Sequence, residues 1–124
     1  MKLSQKDFDK AVGRAFQRIP HEIRAHLENV VITVRKRPSK DMLDELGMTP
    51  EDAPLGLYRG ASLLERSVFA PPLYPDTIFI FQEPLEEMCT TLEELESEIE
   101  ITVVHEVAHF LGMDDERLAG LGYG

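Results

Sequence analysis

A chain of 124 residues has room for one hydrophobic core, because division into two would leave neither part enough apolar surface to offset its ordering entropy. With 43% hydrophobic and 29% charged residues it is expected to fold unaided, and its formal charge of −10 disfavours nucleic-acid and membrane-surface partners, whose phosphates it would repel. Cys89 is the sole cysteine, which excludes an intramolecular disulfide and a thiolate metal cluster. The first residues lack a signal-peptide core, no window reaches the ~20 apolar residues of a membrane span, and a cytoplasmic protein is expected.

Ser4, followed three residues later by Asp7 and then by Phe8, Val12, Ala15, Phe16 and Ile19, describes an amphipathic helix that Pro20 ends. Residues 21–27 add a short helical turn. The β-branched run Val30-Val31-Ile32-Thr33-Val34 suits a strand over 29–35. Ser39 caps a short helix through Leu46, with Gly47 as its left-handed terminator. Residues 55–60 read as a second strand bounded by glycine, and 67–70 as a third. The prolines at 71, 72 and 75 exclude a central strand or helix over 70–75, which leads into the plainest strand of the chain at 77–82.

A short helix is expected at 84–89, and Thr90 or Thr91 then stands three residues before Glu93 or Glu94, as in a capping box. Leu92, Leu95, Ile99, Val103, Val107, Phe110 and Leu111 recur on one face of the long helix that follows, up to Gly112. Residues 99–104 are rich in β-branched side chains and favour strand locally. The helix is preferred because the motif after them works only if His105 and His109 share a face. The expected fold class is α+β, a small mixed sheet packed on an amino-terminal helix and a long motif-bearing helix.

The chemistry resides in His105-Glu106-Val107-Ala108-His109-Phe110-Leu111-Gly112-Met113-Asp114-Asp115. Helical residues four apart project from one side, so both imidazoles can reach one zinc ion at about 2.0–2.1 Å. Glu106 lies about 100° further round, close enough to meet a metal-bound water without being a ligand. A third protein ligand is needed, and Asp115 is chosen because a left-handed Gly112 turns the chain back toward the metal; Asp114 and Glu116 compete. With Glu106 as general base, such a site would hydrolyse peptide bonds through a zinc-activated water, and Tyr123 or Arg117 would be available as an oxyanion stabiliser.

Residues 105–115 resemble the extended zincin signature His-Glu-x-x-His-x-x-Gly-x-x-Asp, in the aspartate-ended form of snapalysin-like proteases. In size and layout the whole chain is similar to the small bacterial zincin-like proteins called minimal metallopeptidases. That resemblance implies one zinc ion per chain held by His105, His109 and Asp115, with Glu106 as catalytic carboxylate. It also implies a sheet beside the motif helix whose edge strand receives an extended peptide. The strand at 77–82 fits that place, with Ile78, Phe79, Ile80 and Phe81 as substrate-binding residues. Metzincins carry a methionine turn after the third ligand; only nine residues follow Asp115 and none is methionine.

The short segment beyond Asp115 motivates an alternative reading, a non-catalytic zinc-binding module that captures a peptide without cutting it. The remaining conspicuous residues read as structural or solvated. His21 and His26, five apart, face different ways. Cys89 has no basic neighbour and reads as a buried thiol. Arg35-Lys36-Arg37 reads as a solvated loop, and the glutamates at 83, 86, 87, 93, 94, 96, 98 and 100 as a solvated acidic helix face.

Overall fold

The computed structural model describes residues 1–60 and 76–123, so the strand expected at 67–70 and the proline segment 70–75 lie outside the described residues. Helix α1 (Gln5–Arg18) begins where the Ser4 hydroxyl accepts from the Asp7 N–H and ends at Ile19, in extended backbone ahead of Pro20. One helical turn, α2 (His21–Arg24), continues as a 3-10 turn to Leu27. Strand β1 (Val30–Arg35) follows, then α3 (Lys40–Leu46), capped by the Ser39 hydroxyl and closed by Gly47 at φ 66°. Next come β2 (Gly56–Arg59), β3 (Asp76–Phe81) and α4 (Gln82–Met88).

The motif helix α5 (Leu92–Leu111) opens with the Thr91 hydroxyl accepting from the Glu94 N–H and closes at Gly112, whose φ of 72° is the left-handed conformation expected of it. Its β-branched stretch is helical. A β-branched residue gives up at most about 0.7 kcal/mol in a helix, whereas burying its side chain contributes about 1.5–3 kcal/mol, and Ile99, Val103 and Val104 are fully buried. The expected apolar stripe is truncated at its ends, since Leu92, Phe110 and Leu111 are exposed.

The strands form one mixed sheet in the order β1-β3-β2, with β3 parallel to β1 and antiparallel to β2. This corrects the expectation that the strand at 77–82 lies at an edge. Both of its sides are hydrogen-bonded to neighbours, so it cannot receive a peptide by strand addition. Ile78, Phe79, Ile80 and Phe81 are therefore core residues and not a substrate-binding rail. Ile78 and Ile80 join the main core with Phe8, Ala11 and Ala15 of α1 and Leu95, Ile99 and Val103 of α5. Phe79 and Phe81 face the other way, onto Met42 of α3. Burial on both faces explains the unbroken apolar run, which marks a central strand.

Glu87, Glu93 and Glu94 are exposed, as expected of a solvated face, while surface ion pairs engage part of the stretch and Glu86 departs from it. Arg14 pairs with Glu96, Arg18 with Glu100, and Arg37 with Glu83 and Glu87. Glu86 is buried, accepting from the Leu3 N–H at 2.7 Å and from Gln82 Nε2 at 3.2 Å. Cys89 is buried as expected, and desolvation pushes its thiol above the ordinary range. Among the described residues no helix is long and apolar enough to cross a membrane.

Candidate metal centre and active site

The last two turns of α5 carry the motif. His105 is half-buried and His109 exposed, with ring centroids 6.3 Å apart and planes inclined at 58°. An imidazole nitrogen lies roughly 1.1 Å from its ring centre, so two tetrahedral arms on one zinc would separate the centroids by about 5.2 Å. The two imidazoles suit a shared ion in donor type, and their centroids stand about 1 Å farther apart than one zinc would hold them.

Among the described residues no three His, Cys, Asp or Glu side chains are gathered closely enough to hold a metal. Asp115 is exposed at the first position of a helix the sequence reading did not anticipate, α6 (Asp115–Gly120). Its competitor Asp114 is engaged as the cap of that helix, its Oδ1 accepting from the Arg117 N–H at 2.8 Å. Glu116 is exposed on α6.

His105 Nε2 lies 3.2 Å from the Tyr123 carbonyl oxygen. A carbonyl only accepts, so this nitrogen carries the proton and the lone pair lies on Nδ1. The ring can therefore offer Nδ1 to a metal while keeping this contact, or offer Nε2 after releasing it. The Tyr123 hydroxyl donates to Glu100 Oε2 at 2.6 Å, and Glu100 is paired with Arg18 at 3.0 Å. Burial and the Glu100 carboxylate push the phenol well above its usual range. Six residues of helix, about 9 Å, separate Glu100 from Glu106, so the hydroxyl named as a possible oxyanion stabiliser is engaged by a carboxylate farther back along α5. Arg117 is likewise directed elsewhere, onto Glu22 at 3.0 Å.

Glu106 is half-buried between α5 and β2. Burial raises its carboxyl above the ordinary glutamate range; His109, the donating Tyr58 N–H and His105 offset part of this. A raised acid pKa means that the folded state holds the proton more tightly than the unfolded chain, so ionised Glu106 opposes folding once pH exceeds the ordinary glutamate value. The Glu106→Gln variant of chelator-treated protein is therefore expected to melt higher than wild type at pH 7.5, by about a few degrees. The difference should vanish at pH ~3, well below the ordinary glutamate value, where Glu106 is protonated in both states. Thermal melts at both pH values check this, and a variant melting below wild type at pH 7.5 contradicts it.

Two residues at the site are not signalled by the sequence. Tyr58 supplies the N–H that Glu106 accepts, and its ring stacks on Phe110 with centroids 4.2 Å apart and planes at 15°. Gly56 lets β2 approach α5 closely: a Cβ there would lie 2.6 Å from Thr102 Cγ2 and 3.9 Å from Glu106 Cγ. The sequence signals neither contact, because each joins positions more than forty residues apart. By contrast α6 was signalled, by Asp114 followed by two acidic residues before Leu118.

The chain resembles a conserved hypothetical protein from Thermo thermophilus, with a TM-score of 0.60 and 21% identity over 94% of this chain and 98% of the other, a likeness of fold. No curated protein matches it. The model of the zincin-like metallopeptidases matches residues 27–123, which include the three described strands and the whole of α5 and α6. On a match of that extent, the chain belongs to the zincin-like metallopeptidase family.

Proposed function

We propose that the protein is a zinc-dependent peptidase in which His105 and His109, joined by Asp115, hold the metal and Glu106 is the general base. The observation that carries the reading is the placement of Glu106: half-buried beside two imidazoles on one side of α5, and tied to the Tyr58 N–H. Held by these residues, a zinc ion would supply Lewis acidity toward a carbonyl oxygen and toward water. Glu106 takes the proton of the attacking water and returns it to the departing amine. The Tyr58 N–H fixes the carboxylate while it does so.

The engagement of His105 Nε2 by Tyr123, and the lack of three gathered donors among the described residues, favour a second reading, a zinc-binding module that holds a peptide without cutting it. Metal analysis of protein purified without added metal, combined with digestion of unfolded casein, separates the two. The peptidase should contain about one zinc per chain and yield products that disappear with chelator. Zinc and casein binding with no products would favour the module, and absence of zinc would sink both. Because protons compete with a metal for imidazole nitrogen, acid should remove zinc and activity together, and activity lost while zinc is retained would contradict the ligand set.

A further inference from the structure

Phe110 lies one helical turn beyond Glu106, on the same side of α5, and its side chain remains 48% exposed. A lone exposed aromatic residue is ordinary. This one belongs to an assembled feature. The Tyr58 ring stacks on it nearly face to face, the Tyr58 hydroxyl donates to Asp76 Oδ2 at 2.9 Å, and the Tyr58 N–H reaches Glu106. Tyr58 is thus fixed by its hydroxyl and by its backbone, and the pair forms a rigid two-ring platform beside the carboxylate. Leu111, also exposed, extends the apolar surface along the same turn.

A rigid ring loses little freedom when another stacks on it, and an aromatic pair contributes beyond the area it buries. A peptide whose scissile carbonyl faces Glu106 would bring a neighbouring side chain within reach of this platform. Resting on the peptidase reading, we infer that Phe110, backed by Tyr58, selects peptides with an aromatic side chain next to the bond to be cut.

The test uses two fluorescein-labelled heptapeptides of alanine and serine that differ only in a central Phe or Ala. Each is titrated by anisotropy against the zinc-loaded Glu106→Gln protein, in which nothing is cleaved. The Phe peptide should bind about threefold to tenfold more tightly. Adding Phe110→Ala should bring the ratio near one, whereas adding Phe110→Tyr should preserve it, a distinction that general loosening of the fold would not produce. Equal affinities, or binding of neither peptide, would overturn the inference. A dimer that dissociates on Phe110→Ala would do the same, by assigning the face to a second copy. Incubating both peptides with protein retaining Glu106 tests the other layer: no cleavage counts against the peptidase reading, while the binding ratio still decides the platform. Where cleavage occurs, mass spectrometry of the products should place Phe beside the new terminus.

Discussion

Glu106→Gln is expected to slow casein cleavage by at least about a hundredfold while zinc content stays near one per chain. Glutamine keeps the size of the side chain and an oxygen to accept from the Tyr58 N–H, so the β2 contact survives. What it lacks is the capacity to take a proton. The same variant is the one expected to melt higher without metal, and the two expectations reinforce each other. A carboxylate that burial disfavours, retained where a neutral amide would be more comfortable, has a chemical reason to be there. Glu106→Asp should also lose most of its activity, because shortening by one methylene pulls the carboxylate off either the Tyr58 N–H or the attacking water. Cleavage within tenfold of wild type in the Gln variant would remove Glu106 from the mechanism, whatever its melting temperature.

The helices were the most legible part of the chain, because their ends are written locally. Ser4, Ser39 and Thr91 cap where hydroxyl caps were expected, and Gly47 and Gly112 take the left-handed conformation that closes a helix. The pair His105 and His109 followed from helical spacing alone. What local reading failed to supply was adjacency between distant segments. The apolar run at 78–81 correctly gave a strand, but its place in the sheet depends on β1 and β2 arriving on either side. The two-sided burial implied by that run was itself the available clue to a central position. The glutamate-rich stretch is plain in the sequence, yet the pairing of Glu96 and Glu100 with Arg14 and Arg18 depends on α1 packing against α5. The Tyr123 hydroxyl is the group its side chain advertises, whereas its carbonyl is what meets His105. No side-chain reading anticipates a backbone contact of that kind.

Gly56→Ala should destabilise the protein by about 1–3 kcal/mol although it adds a single methyl group in an extended strand that alanine ordinarily tolerates. The cause is space. The new Cβ would lie 2.6 Å from Thr102 Cγ2 and 3.0 Å from the Phe79 carbonyl oxygen, so β2 or α5 has to move. Gly56 pairs with Ile80 of the central strand, which anchors β2 on its other side and leaves separation from α5 as the available relief. That displacement carries Tyr58, two residues along, away from Glu106 and away from Phe110. Activity should therefore fall further than the loss of folded protein accounts for, measured at a temperature where the variant remains folded. The clash also predicts its own remedy. Thr102→Ser deletes Cγ2 and nothing else, so in the Gly56→Ala background it should recover at least about 0.5 kcal/mol, a coupling within the range of residues in direct contact. Urea unfolding of the four proteins completes the cycle. Additive effects would show that α5 and β2 do not meet through these two side chains, and the position of Glu106 would then have to be attributed to the hold of α5 on the core alone.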